Sequence, residues 1–393
     1  FEERRQLGEF YGPGSDWYAT QEKAGEVEAM RYAASLVKDN LIQSATWFHE
    51  QAQKERDEAI VNEDTAMLAS SKRKYELAAK TYAEFLKKHP NDKDAFQWNY
   101  YYAETLFYSD QFEPAYEQYR AVREMDLRDD EFEEIQEVCG LNAIKALEKV
   151  IAAKVGTGDV PSKVLPGGGE EEVEEVASSA PADPEAGPAA ITAEPLPEIA
   201  RKYVTALDRY VVLGFKNKED PYLDSKFAFQ AAKLFYDFND FPEARRRFEW
   251  VIRNYPDQQV GAFAASLMLE TYRLEKDYTT LASKANEFKD LLKGDQAEAI
   301  RVEIAEYELA SLGKAAEKAY QEKRYEEAIE KYKELMSRTD KEETTTIALI
   351  NIAVAYEALD KPGEAAKYYE RLYTEFPDNV FVPYAIYRVA VNS

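Results

Sequence analysis

Small side chains return along this chain at a nearly constant interval, and that interval limits what the chain can fold into. Ala78 and Ala115 are 37 residues apart, and so are Ala328 and Ala365. Large apolar residues surround each of them at spacings of three and four, which is the periodicity of one face of an α-helix. A small residue lets two helix axes approach closely. We therefore predict antiparallel helix pairs that repeat along the chain and stack side by side.

The segment 227–257 shows the pattern most fully. Ala228 and Ala232 recur on one face of a first helix, and a second helix follows after a short turn. Pro256 ends this second helix. Its apolar face consists of Phe241, Ala244, Phe248 and Val251.

The same spacing divides most of the chain. Residues 1–16 are polar and Gly-rich, which favours an irregular lead-in, and residues 17–58 carry two helical patterns with a break near 38–40. The segment 295–339 is ten residues longer than the interval requires, which predicts a lengthened first helix. Residues 380–392 predict a lone first helix. The remaining helix pairs are predicted over 59–90, 94–126, 261–292 and 345–377.

A segment of different composition interrupts the series. Residues 156–197 are rich in Gly, Pro, Ala and Glu and contain almost no large apolar side chain. Such a segment cannot offset the entropy lost on ordering, so we predict a disordered acidic linker. Residues 134–154 predict a first helix, and 198–215 supply its second helix. We predict that the linker interrupts one repeat.

Four regions follow from these elements. They are the irregular lead-in at 1–16, the N-terminal helix pairs at 17–155, the linker at 156–197, and the C-terminal helix pairs at 198–393, of which the last is incomplete. A terminal helix with an uncovered apolar face predicts either a truncated chain or a partner that completes the stack.

The charge of the chain limits its partners. The formal net charge is −25, and 45% of the 393 residues are apolar. A strongly acidic chain repels a phosphate backbone, so we expect no nucleic-acid partner. The sequence contains no apolar run long enough to cross a membrane.

No combination of residues points to catalysis or metal binding. His49 and His89, the only histidines, are far apart and have no His or Cys at ligand spacing, so we expect surface or loop positions and no metal. Cys139 is the only cysteine, which excludes an intrachain disulfide and favours a core position. The glycines at 167–169 are followed by Glu instead of Lys, so they form no phosphate loop. We predict no catalytic residues, no cofactor and no enzyme activity.

The second helices resemble those of the tetratricopeptide repeat family. The resemblance rests on YEEAIEKY at 325–332 and GEAAKYY at 363–369, with Pro377 after the helix. It covers most of the chain outside 1–16 and 156–197. The interval differs from the family norm of about 34 residues, which we attribute to longer loops between pairs. The small first-helix position of the family is matched by Ala66, Ala103, Gly140, Ala232, Ala316 and Ala353.

This resemblance implies an all-α, right-handed α-solenoid of antiparallel helix pairs. In such a superhelix the first helices line a concave groove that holds a peptide, helix or domain of a partner protein. The chain is therefore expected to be a non-catalytic interaction scaffold within a multi-protein assembly. Two alternatives remain: a structural, self-oligomerising solenoid that stacks through its C-terminal helix, and the regulatory repeat region of a larger protein.

The family register also names candidate groove residues. Their aromatic content favours partner binding, although aromatic residues on helical repeats also fill contacts with neighbouring pairs. The Lys–Asn pair with which some family members hold a C-terminal carboxylate is missing from the matching positions, including 313/317 and 350/354. The candidates are Tyr100, Glu104, Phe107 and Tyr108 in one repeat and Phe229, Lys233 and Tyr236 in another.

The resemblance gives one indication of compartment. The second-helix endings at 89–92, 255–257 and 376–378 resemble the envelope branch of the family in Gram-negative bacteria. This implies a periplasmic or outer-membrane-associated protein, with the cytoplasm as the alternative. The sequence begins at Phe1 instead of Met, so we expect a processed chain whose removed address would decide between them.

Overall fold

A computed structural model describes residues 2–125, 133–165, 192–294 and 298–392. Within these ranges all regular structure is helical, and consecutive helices pack against one another. The predicted fold class, an α-solenoid of antiparallel helix pairs, is confirmed. The described residues form two compact units. Unit 1 comprises those up to 165 together with 197–227, and unit 2 comprises 192–196 and 228–392.

The helices of unit 1 include the longest in the described chain. They are α1 (Glu2–Tyr11), α2 (Asp16–Ala24), α3 (Val27–Asn62), α4 (Thr65–Lys88), α5 (Ala95–Tyr108), α6 (Phe112–Arg123), α7 (Glu133–Gly156) and α8 (Glu198–Leu213). A short 3₁₀ turn at Ser162–Val164 follows α7. None of the helices in the described ranges is long and apolar enough to span a membrane.

The next helix begins in unit 1, and the helices after it belong to unit 2. They are α9 (Leu223–Asp237), α10 (Phe241–Asn254), α11 (Gln259–Leu274), α12 (Tyr278–Leu291), α13 (Glu298–Gln321), α14 (Tyr325–Ser337), α15 (Glu342–Ala358), α16 (Pro362–Glu375) and α17 (Val382–Asn392). The 24-residue α13 is the lengthened first helix that the interval predicts.

The turn inside five of the helix pairs is built in the same way. The second residue after the first helix adopts a left-handed conformation, and the next amide donates back to a carbonyl near the helix end, as from Lys361 to Tyr356 at 3.0 Å. This turn ends a helix while pairing its last carbonyls. Its positions in unit 2 keep the interval of 37 from 239 to 276 and from 323 to 360. The left-handed residues are Asp110, Asn239, Lys276, Lys323 and Asp360.

Three local predictions in unit 1 are wrong. The lead-in at 1–16 contains α1, whose good helix formers outweigh Gly8. The pattern at 17–58 has no break at 38–40, because polar residues without Gly or Pro do not end a helix, and α3 runs through. The segment 59–90 is not a pair but the end of α3 followed by the single helix α4.

The pairing of α3 with α4 changes one family position. Ala66, expected to be the small contact residue of a first helix, lies exposed at the start of α4. Its role falls to Ala45 of α3, which is fully buried against Ala78 and Tyr82 of α4. The remaining small positions at 103, 140, 232, 316 and 353 are all buried.

The predicted linker lies mostly outside the described residues, since residues 166–191 are not described. The helices on either side of it, α7 and α8, pack against each other in unit 1. The Tyr203 hydroxyl donates to Glu148 at 2.8 Å, and the Tyr210 hydroxyl donates to Glu137 at 2.8 Å. Apart from the lead-in, the division into regions stays a prediction.

His49 is a core residue of unit 1, not a surface or loop residue as predicted. Its side chain is 4% exposed and lies edge-on to three tyrosine rings, with centroids 5.3–6.0 Å away. Its Nε2 atom has no hydrogen-bond partner among the described residues. Burial lowers the pKa of His49 to about 4, because a charged imidazolium would lose its hydration there.

Unit 1 is therefore expected to lose stability on mild acidification. Because the folded-state pKa of His49 lies below the unfolded value of about 6.5, the unfolded state binds more protons between these two pH values. Lowering the pH from 7 to 5 should reduce the free energy of unfolding by about 2 kcal/mol. Urea unfolding at both pH values measures this cost. His49→Phe should remove most of the difference, and an unchanged difference would contradict the assignment.

Candidate functional site

The first group of predicted groove residues packs inside unit 1. The ring centroid of Tyr108 in α5 lies 5.3 Å from that of Tyr75. The guanidinium carbon of Arg56 lies 4.1 Å from the centroid of the Tyr108 ring. The Phe107 ring contacts Phe112 at 5.4 Å. Tyr100 is half-buried, and burial raises the pKa of its hydroxyl. These contacts correspond to the alternative in which the aromatic residues fill space between helix pairs.

Glu104 is also engaged within unit 1. Its carboxylate accepts a short hydrogen bond from the Tyr119 hydroxyl and a second from Asn142 Nδ2 at 3.2 Å. Burial raises the pKa of Glu104 although both hydrogen bonds favour its ionised form. The acid therefore joins α5, α6 and α7, and its contacts are structural.

The second group lies on α9 in unit 2. Phe229 is buried with its ring centroid 5.9 Å from that of Phe248. Lys233 Nζ pairs with Asp237 at 2.9 Å. Tyr236 is half-buried, and its ring centroid lies 6.0 Å from that of Phe241. The structure brings these three side chains onto one helix, but it does not test whether they bind a partner.

An open groove lies elsewhere in unit 2, between the first helices α13 and α15, with α14 at its base. Its volume is about 840 Å³. Ile347 of α15 is 45% exposed there, and Leu335 and Tyr332 of α14 form part of its base. The small and apolar residues that line the groove from α13 and α15 are Leu309, Ala310, Gly313, Tyr320, Ile347 and Val354.

Gly313 is the residue that leaves the groove open. It lies in the middle of α13, where a Cβ atom would meet only Leu335 Cδ2, at 3.8 Å. A side chain at this position would therefore extend into the groove without a clash at its base. The family register places position 313 on the groove face, at the helix position that Tyr100 occupies in α5. A glycine inside a long helix was the sequence signal that could have located this site.

The rim of the groove carries charges of both signs. Lys341 Nζ pairs with Glu306 at 3.1 Å, and Lys314 Nζ pairs with Glu317 at 3.1 Å. Both pairs are exposed, so each contributes little to stability and can exchange partners easily. Asn351 Nδ2 donates to the Tyr332 hydroxyl at 3.2 Å inside the groove. The site thus combines an apolar lining with a mixed-charge rim.

The described residues offer neither a cluster of metal ligands nor an exposed thiol. The described residues contain no group of three or more side chains that could hold a metal ion. Cys139 is buried, and burial raises the pKa of its thiol, which disfavours the reactive thiolate.

Two family models match parts of unit 2. The family model described as tetratricopeptide repeat matches residues 229–269, which cover most of α9, all of α10 and much of α11. The chain contains a tetratricopeptide repeat. A second model, described as a domain of unknown function (DUF6340), matches residues 314–388, from the end of α13 into α17. A search of curated proteins finds no match.

Two solved structures of tetratricopeptide repeat proteins align with this chain at low identity. A tetratricopeptide repeat protein from Parabacteroides merdae is 9% identical, with 87% of this chain and 99% of that chain covered and a TM-score of 0.27. The P58(IPK) TPR domain is 15% identical, with 87% of each chain covered and a TM-score of 0.23. The tetratricopeptide-like fold suggests a scaffold for protein–protein interaction.

Proposed function

We propose that this protein is a non-catalytic scaffold whose groove between α13 and α15 binds a segment of a partner protein. The observation that carries the proposal is the opening at Gly313, which leaves about 840 Å³ between two first helices. That volume accommodates a few large apolar side chains. The groove is preformed, so binding would not have to order it first.

The lining defines the chemistry of the segment. An apolar anchor fits against Leu309, Ile347 and Val354. Since the rim holds both lysines and glutamates, the flanks of the segment should carry both charges instead of a single sign. An amphipathic helix or a short extended peptide with one large apolar side chain meets these requirements.

Filling the groove is expected to weaken this binding. Peptides selected from a random library on the full chain should carry a large apolar residue, and Gly313→Phe should weaken their binding at least tenfold, about 1.4 kcal/mol. The new ring would occupy the space of the anchor. Fluorescence anisotropy measures the affinity, and circular dichroism confirms that the variant folds.

The matched control lies on the same helix. Val302 of α13 is exposed and does not line the groove, so Val302→Phe should leave peptide affinity unchanged. Equal affinity of the selected peptides for the wild type and for Gly313→Phe would exclude the groove as their site. No enrichment of binding peptides at all would count against the scaffold proposal itself.

Three further points belong to this proposal. The scaffold would act in a multi-protein assembly in the periplasm or at the outer membrane of a Gram-negative bacterium, with the cytoplasm as the alternative. The helix endings at 89–92, 255–257 and 376–378 support this location. The net charge of −25 argues against nucleic-acid partners. The alternative of a self-associating solenoid is compatible with the groove, because α17 does not line it.

A further inference from the structure

The face of α15 that lines the groove begins with a carboxylate and continues with apolar side chains. Glu343, Ile347 and Val354 all line the groove, and Glu343 precedes Ile347 by four residues. Residues four apart on a helix have Cβ atoms about 5–6 Å from each other on one face. The carboxylate of Glu343 therefore lies one helical turn from the exposed Ile347 side chain, at the end of the groove where α15 begins.

The charges that line the groove do not balance. Each of the two lysines lies 3.1 Å from a glutamate of the rim, whereas the exposed Glu343 forms no ion pair with a residue in the described ranges. If the exposed pairs exchanged partners, two ammonium groups would still face three carboxylates. One negative charge therefore stays uncompensated in the groove. The charged lining residues are Glu306, Glu317, Glu343, Lys314 and Lys341.

The glutamate next to Glu343 lies outside the groove. Glu342 also belongs to the first turn of α15, but it does not line the groove. Its carboxylate accepts a hydrogen bond from Asn379 Nδ2 at 3.1 Å. Successive residues of a helix point in different directions, so of these two acids only Glu343 meets a ligand in the groove.

We propose that the groove selects a basic segment of another protein, in which Glu343 binds a lysine or arginine close to the apolar anchor. This inference rests on the proposed function of the groove. Alternate residues of an extended segment lie on one side about 6.6 Å apart, and residues four apart on a helix rise by about 6 Å. Both distances match the separation of Glu343 from Ile347. The basic residue is therefore expected two positions from the anchor in an extended segment and four positions from it in a helix.

Charge also limits where this segment comes from. The acidic stretch at 170–175 of the same chain contains five glutamates, which Glu343 would repel. A second copy carries the same net charge of −25, so the two molecules would repel each other on approach. A basic segment of a different protein is attracted by the net charge at long range and by Glu343 at contact.

Peptide selection followed by charge reversal tests the proposal. Peptides enriched on the full chain should carry Lys or Arg at one of these two spacings from their large apolar residue. Changing that basic residue to Glu should weaken binding to the wild type about fivefold, since the contact is exposed to water. Glu343→Lys should reverse this preference, and high salt should reduce it. Fluorescence anisotropy measures all four affinities.

The matched control is Glu342→Lys. It changes the net charge by the same amount and lies in the same helical turn, but outside the groove. Its hydrogen bond with Asn379 is exposed, so the variant should fold, which circular dichroism verifies. Glu342→Lys should keep the wild-type preference for the basic peptide. A reversal in both variants would show that net charge, and not Glu343, sets the preference.

The remaining outcomes separate this inference from the proposed function. If Gly313→Phe blocks the selected peptides but they lack a basic residue, or if Glu343→Lys leaves their preference unchanged, the groove stands and the role of Glu343 is wrong. Enrichment of acidic peptides would exclude it equally, and would favour the acidic stretch at 170–175 as the occupant. If Gly313→Phe does not weaken binding, the groove and this inference fail together.

Discussion

Replacing Arg338 with methionine is expected to destabilise unit 2 by about 3–5 kcal/mol. Arg338 follows α14 and forms an ion pair with Glu308 of α13, whose side chain is only 3% exposed. Removing the guanidinium would leave a carboxylate buried without its counter-charge, and the energy of desolvating that carboxylate would no longer be offset. Urea unfolding followed by helical circular dichroism gives the stability, and hydrogen exchange of α13 and α14 peptides assigns the loss to unit 2.

A second substitution separates the charge effect from lost packing. Combining Glu308→Gln with Arg338→Met removes both charges, so most of the stability should return. Arg371 provides the matched control, because its pair with Glu375 is exposed on α16, and Arg371→Met should cost less than about 1 kcal/mol. If the double variant is as unstable as Arg338→Met alone, the buried charge is not the cause.

Most of the fold could be predicted from the repeat interval. Helix pairs follow from small residues at a fixed spacing, and the lengthened α13 follows from a departure from it. The helix α17 follows from the spacing itself, since Ala390 lies 37 residues after Ala353. The interval failed between α3 and α4, where its period placed Ala66 at a helix contact that Ala45 makes. No Gly or Pro lies between 27 and 88 to mark where α3 ends. The helix α3 ends at Glu63, which adopts a left-handed conformation. A glutamate does not predict this conformation from its residue type.

The groove was harder to predict, because its opening depends on residues from other helices. The family register identifies positions 100 and 104 as equivalent to positions 313 and 317. The first pair was predicted to bind a partner because aromatic residues lie beside it. At Glu104, side chains of α6 and α7 close the site, as Tyr119 and Asn142 donate to the carboxylate. At Gly313 no side chain among the described residues closes it. A single helix pattern contains no information on which neighbours fill the space in front of it.

Gly261→Ala is expected to destabilise unit 2 by about 3 kcal/mol, whereas the same change at Gly313 should stabilise it by up to about 1 kcal/mol. A Cβ atom at Gly261, in the first turn of α11, would lie 2.2 Å from the backbone oxygen of Tyr255. The backbone there cannot move aside easily, because the Lys293 amide donates to the carbonyl of the next residue, Pro256, at 2.8 Å. Overpacking against a fixed backbone costs a few kcal/mol.

Gly313 is the matched control for this effect. It also lies within a first helix of unit 2, but its Cβ would make only an ordinary contact at 3.8 Å. Alanine in the interior of a helix is then favoured over glycine by its lower conformational entropy in the unfolded chain. Thermal unfolding of both variants measures the two changes. Equal stability of the two variants would show that the α10–α11 turn yields to a side chain, and that glycine is not what lets α11 begin so close to Tyr255.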